Sequence, residues 1–295
     1  MPARYRLLAL DLDGTLLDDH AELTADNIEA VRRARREGVR VVVCTGRGLV
    51  ECRRYLDRLD QVDPVIVAGG AITADPVSGE TIRRVPMAAP LVARTVDLLL
   101  GAGHAALVLK DPSPAGYDYL VVTGGGEVRP DPVTLWWFEK MGVRVRYAAR
   151  VEDDEHPEHT IRVGMCADAA QSQALAGVMQ RDLGDRVVMH AFKAVVGPGI
   201  TGAAERTVHI LEAFDASAGK WPAIERYAAE LGVAREQIAA IGDEVNDLEM
   251  IRRAGLGVAM GNAVPAVLDA ADRTTEANHR SGVARAIERI LEGAW

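Results

Sequence analysis

The chain has 295 residues, enough for one large α/β unit or a core with a second domain. Hydrophobic residues make up 48% of it, mostly Ala, Val and Leu, which excludes a disordered chain and suits helices packed on a buried sheet. A net charge of −9 excludes a broad electrostatic surface for nucleic acid, yet allows a small anion held by a metal ion or a few basic residues.

Leu7-Leu8-Ala9-Leu10, ending at Asp11, is a short apolar run of the kind buried on both faces of a parallel sheet. Thr24 is a plausible N-cap for a helix with Ile28, Val31 and Ala34 on one face, and Gly38 stands where a C′ glycine belongs. Val39 to Val43 predicts the next strand, and Val65 to Ala68 a third after another helical stretch. This alternation predicts right-handed parallel units.

From about Pro86 the pattern changes. Leu91 to Leu100 is helical, whereas Leu107–Leu109 and Tyr119–Val122 predict strands with Pro/Gly-rich joints. Val143–Tyr147 and Ile161–Met165 alternate apolar and polar residues, as in a half-exposed antiparallel sheet. A helix through Leu175 and Leu183, closed by Gly184, and a strand Val187–Met189 follow. The parallel style returns from about Ala213: helix Pro222–Leu231, strand Ile238–Ile241, helix Leu248–Ala254, strand Leu256–Met260 and helix Val283–Leu291. The expected architecture is therefore a doubly wound, Rossmann-like α/β core, residues 1–84 and 213–295, interrupted by an α+β domain at 85–212.

Three cysteines, Cys44, Cys52 and Cys166, make no disulfide framework and point to a reducing compartment. Cys44 lies in an apolar run and is expected to be a small buried hydrophobe. The segment Met1–Arg6 carries no signal-peptide h-region, and no stretch approaches the length of a membrane span, so a cytoplasmic protein without membrane contact is expected.

Four polar clusters follow strands or open helices, and ligands of open α/β sheets bind at the carboxyl ends of strands. Asp11-Leu12-Asp13-Gly14-Thr15 can aim two carboxylates at one pocket, because residues i and i+2 of an extended chain point the same way. Their repulsion calls for a cation such as Mg²⁺ or a shared proton. Thr45-Gly46-Arg47 offers a hydroxyl, a loop amide and a guanidinium to phosphate oxygens. Lys220 precedes a helix start, where the macrodipole opposes a cation unless an anion lies between them. Gly242-Asp243-Glu244-Val245-Asn246-Asp247 adds carboxylates for a metal and an amide for phosphate. Taken singly, each cluster also reads as an ordinary turn or helix start.

In this order and spacing the clusters resemble the haloacid dehalogenase-like superfamily, and within it the Cof-like branch with a large inserted cap. Glu212, Ala223-Ile224, Ala259-Met260-Gly261-Asn262-Ala263 and Gly282-Val283-Ala284 fit that branch too. The chain departs from it in having Gly69-Gly70-Ala71 for Asn-Gly-Ala, Trp221 for Gly after the lysine, and Ser281 before Gly282. The resemblance implies Asp11 as nucleophile and Asp13 as acid and base. It implies Mg²⁺ held by Asp11, the Asp13 carbonyl and Asp243, with Asp247 as support or alternative ligand. Thr45, Lys220 and Asn246 would hold the phosphoryl group, with Gly46 and Arg47 beside it. A small phosphorylated metabolite, such as a sugar phosphate or a cofactor precursor, is the implied substrate. The alternatives are a sugar phosphomutase of the same superfamily and a non-catalytic Mg²⁺-dependent phosphate-binding module.

Gly124-Gly125-Gly126 reads as a hairpin turn rather than a phosphate loop, with no helical pattern after it. His156 and His159 fall in Glu152–His159, an acidic stretch expected to be a solvated loop. Trp136-Trp137-Phe138 is expected to be core of the inserted domain.

Overall fold

The computed structural model describes residues 4–126, 128–193 and 208–295, so the reading of Met1–Ala3 lies outside the described residues. The chain divides into two compact units, Met1–Ile82 with Gly219–Trp295, and Arg83–Ala218.

The first part runs β1 (Leu7–Asp11), α1 (Ala25–Arg36), β2 (Arg40–Cys44), α2 (Leu49–Arg58), β3 (Val65–Val67), β4 (Ile72–Ala74) and β5 (Thr81–Arg84). Every residue of β1 is buried, as its unbroken apolar run requires. Thr24 caps α1 by accepting the Asn27 N–H on its side chain, and Gly38 turns the chain out of that helix at φ 84°.

The inserted unit runs α3 (Ala89–Gly101), β6 (Ala106–Lys110), α4 (Pro112–Ala115), β7 (Tyr119–Val122), α5 (Pro132–Met141), β8 (Val145–Ala148), β9 (Thr160–Asp168), α6 (Ala169–Leu183), β10 (Val187–Lys193) and β11 (Val208–Asp215). Its sheet has the order β10-β11-β9-β6-β7-β8. Val92, Val96 and Leu99 of α3 and Leu175, Met179 and Leu183 of α6 form its core with Val108, Val163, Met165 and Leu211 of the strands. All pairings are antiparallel except β7 with β8. That pair corrects the hairpin expectation: parallel neighbours need a crossover, and α5 supplies it. Asp131 accepts the Val133 N–H as N-cap, Pro132 opens the helix, and Gly142 closes it at φ 65°. Of the three aromatics on α5 only Phe138 is buried, its ring 4.9 Å from that of Tyr119, while Trp136 and Trp137 are half-buried.

The chain then returns through α7 (Lys220–Glu230), β12 (Ile238–Gly242), α8 (Leu248–Arg253), β13 (Leu256–Ala259), α9 (Pro265–Leu268), β14 (Arg273–Thr274) and α10 (Gly282–Leu291). The core sheet has the order β14-β13-β12-β1-β2-β3-β4-β5, parallel from β14 to β3 and antiparallel between β3 and β4. Helix α1 packs on α10, and α7 on α8. Cys44 and Cys52 are buried thiols of this unit, and burial pushes both above the ordinary thiol range. Among the described residues no helix is long and apolar enough to cross a membrane.

Candidate active site

Strands β12, β1 and β2 are parallel neighbours, with Leu10 opposite both Ile241 and Val43. Their carboxyl ends therefore lie side by side, and the chain leaves them at Asp11, Thr45 and Asp243. This brings the first, second and fourth sequence clusters to one edge of the sheet.

After β1 the backbone stays extended at Asp13 and then reverses at Gly14, φ 74°. A Cβ on Gly14 would overlap the Asp243 carboxylate, so glycine is required here both by conformation and by space. Thr15 is fully buried and its hydroxyl donates to Asp243 Oδ1 at 2.9 Å. Asn262 Nδ2 donates to the Gly14 carbonyl at 2.9 Å and ties the same turn to the segment after β13.

Lys220 opens α7 and is buried. Its ammonium donates to Asp11 Oδ1 at 2.5 Å and to Asp247 Oδ1 at 2.6 Å. Burial alone would lower its pKa, but the two carboxylates outweigh burial and hold it above the ordinary lysine range. Asp247 Oδ2 also accepts the N–H groups of Asp243 and Glu244, at 3.0 and 3.1 Å. Both of its oxygens are thus engaged in bracing the lysine and the loop after β12.

Three carboxylates against one ammonium leave the cluster short of positive charge. Burial, followed by the charge of Asp247, pushes Asp11 up to about 7. Burial, followed by the charges of Asp11 and Asp247, pushes Asp243 up to about 9. One oxygen from each of Asp11, Asp243 and Asp247 lies within 4.8 Å of the others. An all-oxygen donor set with surplus negative charge fits a hard divalent cation, which needs only a few carboxylates besides water. Asn246 Oδ1 is enclosed nearby, beside the loop after β12, with no hydrogen-bond partner among the described residues.

Thr45 is buried beyond the end of β2, and its hydroxyl accepts the Arg47 N–H at 3.1 Å. A Cβ on Gly46 would come within 3.9 Å of Asn246 Nδ2, so Thr45-Gly46 and Asn246 face one another. Arg47 is turned onto Asp13. Its Nε and Nη2 donate to the two Asp13 oxygens at 2.8 and 2.5 Å, its Nη1 donates to the Glu51 carbonyl, and it lies over the Tyr55 ring.

Two departures from the Cof-like pattern have local explanations. Gly69 has φ 64°, the left-handed region that asparagine and glycine enter most readily, so glycine fills a conformational role there. Trp221 is fully buried with Arg253 stacked 5.5 Å from its ring centre, and so adds to the packing of α7 on α8. Sequence reasoning assigned no role to Thr15 or Asn262, and missed the Arg47 clamp. The first two lie within the Asp11–Thr15 and Ala259–Ala263 motifs, but no local pattern marks the third.

A family model for haloacid dehalogenase-like hydrolases matches residues 8–287. The Bacillus subtilis protein YxeH is 30% identical over 292 aligned positions, covering 97% of this chain and 98% of YxeH. The 5-amino-6-(5-phospho-D-ribitylamino)uracil phosphatase YwtE of the same organism is 28% identical over 310 positions, covering 98% and 99%. A solved haloacid dehalogenase-like hydrolase from Bacteroides thetaiotaomicron superposes with a TM-score of 0.77 at 25% identity, over 97% of this chain and 99% of that one. The chain belongs to the haloacid dehalogenase-like hydrolases, in the Cof-type group, and is an enzyme of the phosphatase class.

Proposed function

We propose that the chain hydrolyses a small phosphorylated metabolite through an aspartyl-phosphate on Asp11, with Mg²⁺ as cofactor. One observation carries this above all: Asp11, at the end of the central strand, has one oxygen tied to Lys220 while Asp13, two residues on, is held by Arg47. Two neighbouring carboxylates with different partners can serve different ends, one as nucleophile and one as acid and base.

Asp11 attacks phosphorus, forming its O–P bond as the P–O bond to the leaving group breaks. Asp13, which gives up one Arg47 contact and takes a proton from solvent before this step, passes that proton to the leaving oxygen. Asp13 then takes a proton from water, whose oxygen attacks phosphorus and releases Asp11. Lys220, the Thr45 hydroxyl and the Asn246 amide stabilise the transferring oxygens, where most of the catalytic effect arises. Mg²⁺, held by the Asp11 carboxylate, the Asp13 carbonyl and Asp243, supplies the remaining positive charge when bound. Asp247 serves as brace, since both of its oxygens already take protein donors.

The relatives' names support a small substrate, since they include phosphatases of a phosphoribitylamino-uracil, of phosphoglycolate and of HMP-PP. We assign the choice among such esters to the inserted domain, residues 85–212, because the groups given chemical roles all lie outside it. The test is to incubate purified protein with a panel of phosphorylated metabolites, with and without Mg²⁺, and to measure inorganic phosphate. Multiple turnover on at least one ester, abolished by a chelator and restored by Mg²⁺, is expected. Isomerised sugar phosphate without free phosphate, or no turnover on any ester, would overturn the proposal.

A further inference from the structure

We propose that His156, Glu158 and His159 form a second metal site, in the unit Arg83–Ala218, for a divalent transition ion of the zinc class. One donor atom from each of the three lies within 4.8 Å of the other two. The two imidazole rings are stacked, 5.9 Å apart and inclined by 30°, and His159 Nε2 is 3.1 Å from Glu158 Oε1. A histidine–glutamate ion pair would need only two of these side chains, yet His156 brings a nitrogen to the same place. Nε2 is the His159 nitrogen placed to coordinate, because it is the one that faces Glu158, while Nδ1 is enclosed with no hydrogen-bond partner among the described residues.

Two imidazoles and one carboxylate are donors that Zn²⁺, Co²⁺ and Ni²⁺ accept and Mg²⁺ does not favour. The donor set therefore differs in kind from the all-oxygen cluster of Asp11, Asp243 and Asp247. Three protein ligands leave a tetrahedral ion one further position, filled by water.

The stretch Glu152–His159 is exposed at Glu152, Asp153, Glu155, Pro157 and Glu158, as expected of a solvated loop, and it is also anchored by the protein beside it. Lys110 is fully buried and its ammonium donates to Asp154, to the His156 carbonyl at 2.9 Å and to Thr160 Oγ1 at 2.7 Å. Asp154 Oδ1 accepts the His156 N–H at 3.0 Å, and the His156 carbonyl accepts the His159 N–H at 3.0 Å. The His159 carbonyl in turn accepts the Asp111 N–H at 2.8 Å. Pro157 restricts the backbone between the two histidines. The ordering cost of gathering three ligands is thus largely met by the fold, and small side-chain rotations suffice to close them on an ion. A bound ion would clip the turn that leads into β9.

The test uses the full chain in excess Mg²⁺, titrated with Co²⁺ and with Zn²⁺, alongside His156→Gln, His159→Gln and Glu158→Gln. One equivalent of Co²⁺ should give the intense visible bands of a low-coordinate, nitrogen-ligated ion, which six-coordinate oxygen sites lack. Each histidine variant should weaken Zn²⁺ binding by more than the roughly 10–100-fold that an outer-shell partner is worth. Glu158 is exposed, so Glu158→Gln should fold normally and still weaken binding at least tenfold. No Co²⁺ bands in the wild type, or bands and Zn²⁺ affinity that survive in all three variants, would overturn the proposal.

Discussion

The Arg47 guanidinium grips the Asp13 carboxylate in a two-point contact, Nε to Oδ2 at 2.8 Å and Nη2 to Oδ1 at 2.5 Å. Arg47 is itself buried and fixed by the Glu51 carbonyl and the Tyr55 ring, so it holds Asp13 in one rotamer.

Arg47→Lys should therefore impair proton transfer more than binding, because an ammonium cannot reproduce the planar fork. With alkyl phosphates, whose leaving oxygen needs a proton, kcat should fall roughly 10–100-fold, less than the ~10²–10⁴ that losing general acid–base help altogether would cost. Release of p-nitrophenol from p-nitrophenyl phosphate in the first turnover should fall much less. Steady-state and rapid-mixing kinetics on the two esters check this. Equal losses on both would show that Arg47 acts on the phosphoryl group directly.

Lys220 and Asp11 should respond oppositely in stability. Lys220→Met leaves two buried carboxylates without their cation and should destabilise the chain by about 3–5 kcal/mol, the cost of breaking a buried pair. Asp11→Asn removes one of three mutually repelling carboxylates and should leave the metal-free protein at least as stable as wild type. Both variants should be inactive. Denaturant unfolding in excess chelator separates them, and a Lys220→Met midpoint equal to that of wild type would contradict the picture of the cluster.

The raised carboxyls predict how pH and metal act together. A carboxyl whose folded pKa lies above its ordinary 3.8 contributes stability that is complete below that value and is lost as pH rises through the folded pKa. With Asp11 at about 7 and Asp243 at about 9, the metal-free protein should lose stability from mildly acidic pH toward pH 9. Mg²⁺ binds the ionised forms, so its gain in unfolding temperature should be larger at pH 8 than at pH 6. Thermal unfolding at the two pH values, with Mg²⁺ and with chelator, measures the difference. A larger gain at pH 6 would reverse the assignment.

Much of this architecture can be read from the amino acids, for identifiable reasons. β1 and β12 are apolar runs buried on both faces, and such runs stand out without any alignment. Helix α5 escaped because its apolar residues make no clean stripe, although Asp131-Pro132 and Gly142 are proper start and stop signals. β4 and β5, only three and four residues long, were hidden behind the Gly69-Gly70 turn. The residue types of the site were visible at the strand ends, but their pairing was not. Arg47 and Asp13 are 34 residues apart, and which acceptor the guanidinium takes is settled by the packing of α2 and Tyr55.

The central claim is that Asp11 becomes covalently phosphorylated, and Asp13→Asn offers the most direct view of it. That variant keeps the nucleophile and should accept the phosphoryl group from p-nitrophenyl phosphate, whose leaving anion needs little acid, but should be unable to activate water for the second step. Rapid mixing should show a burst of p-nitrophenol approaching one equivalent. Acid quenching within the burst, followed by borohydride reduction, which expels phosphate and turns an aspartyl-phosphate into homoserine, and by peptide mass analysis, should find homoserine at residue 11 in the peptide containing Leu7–Leu17. A burst with Asp11 unmodified, or an adduct on Asp243 instead, would contradict the account.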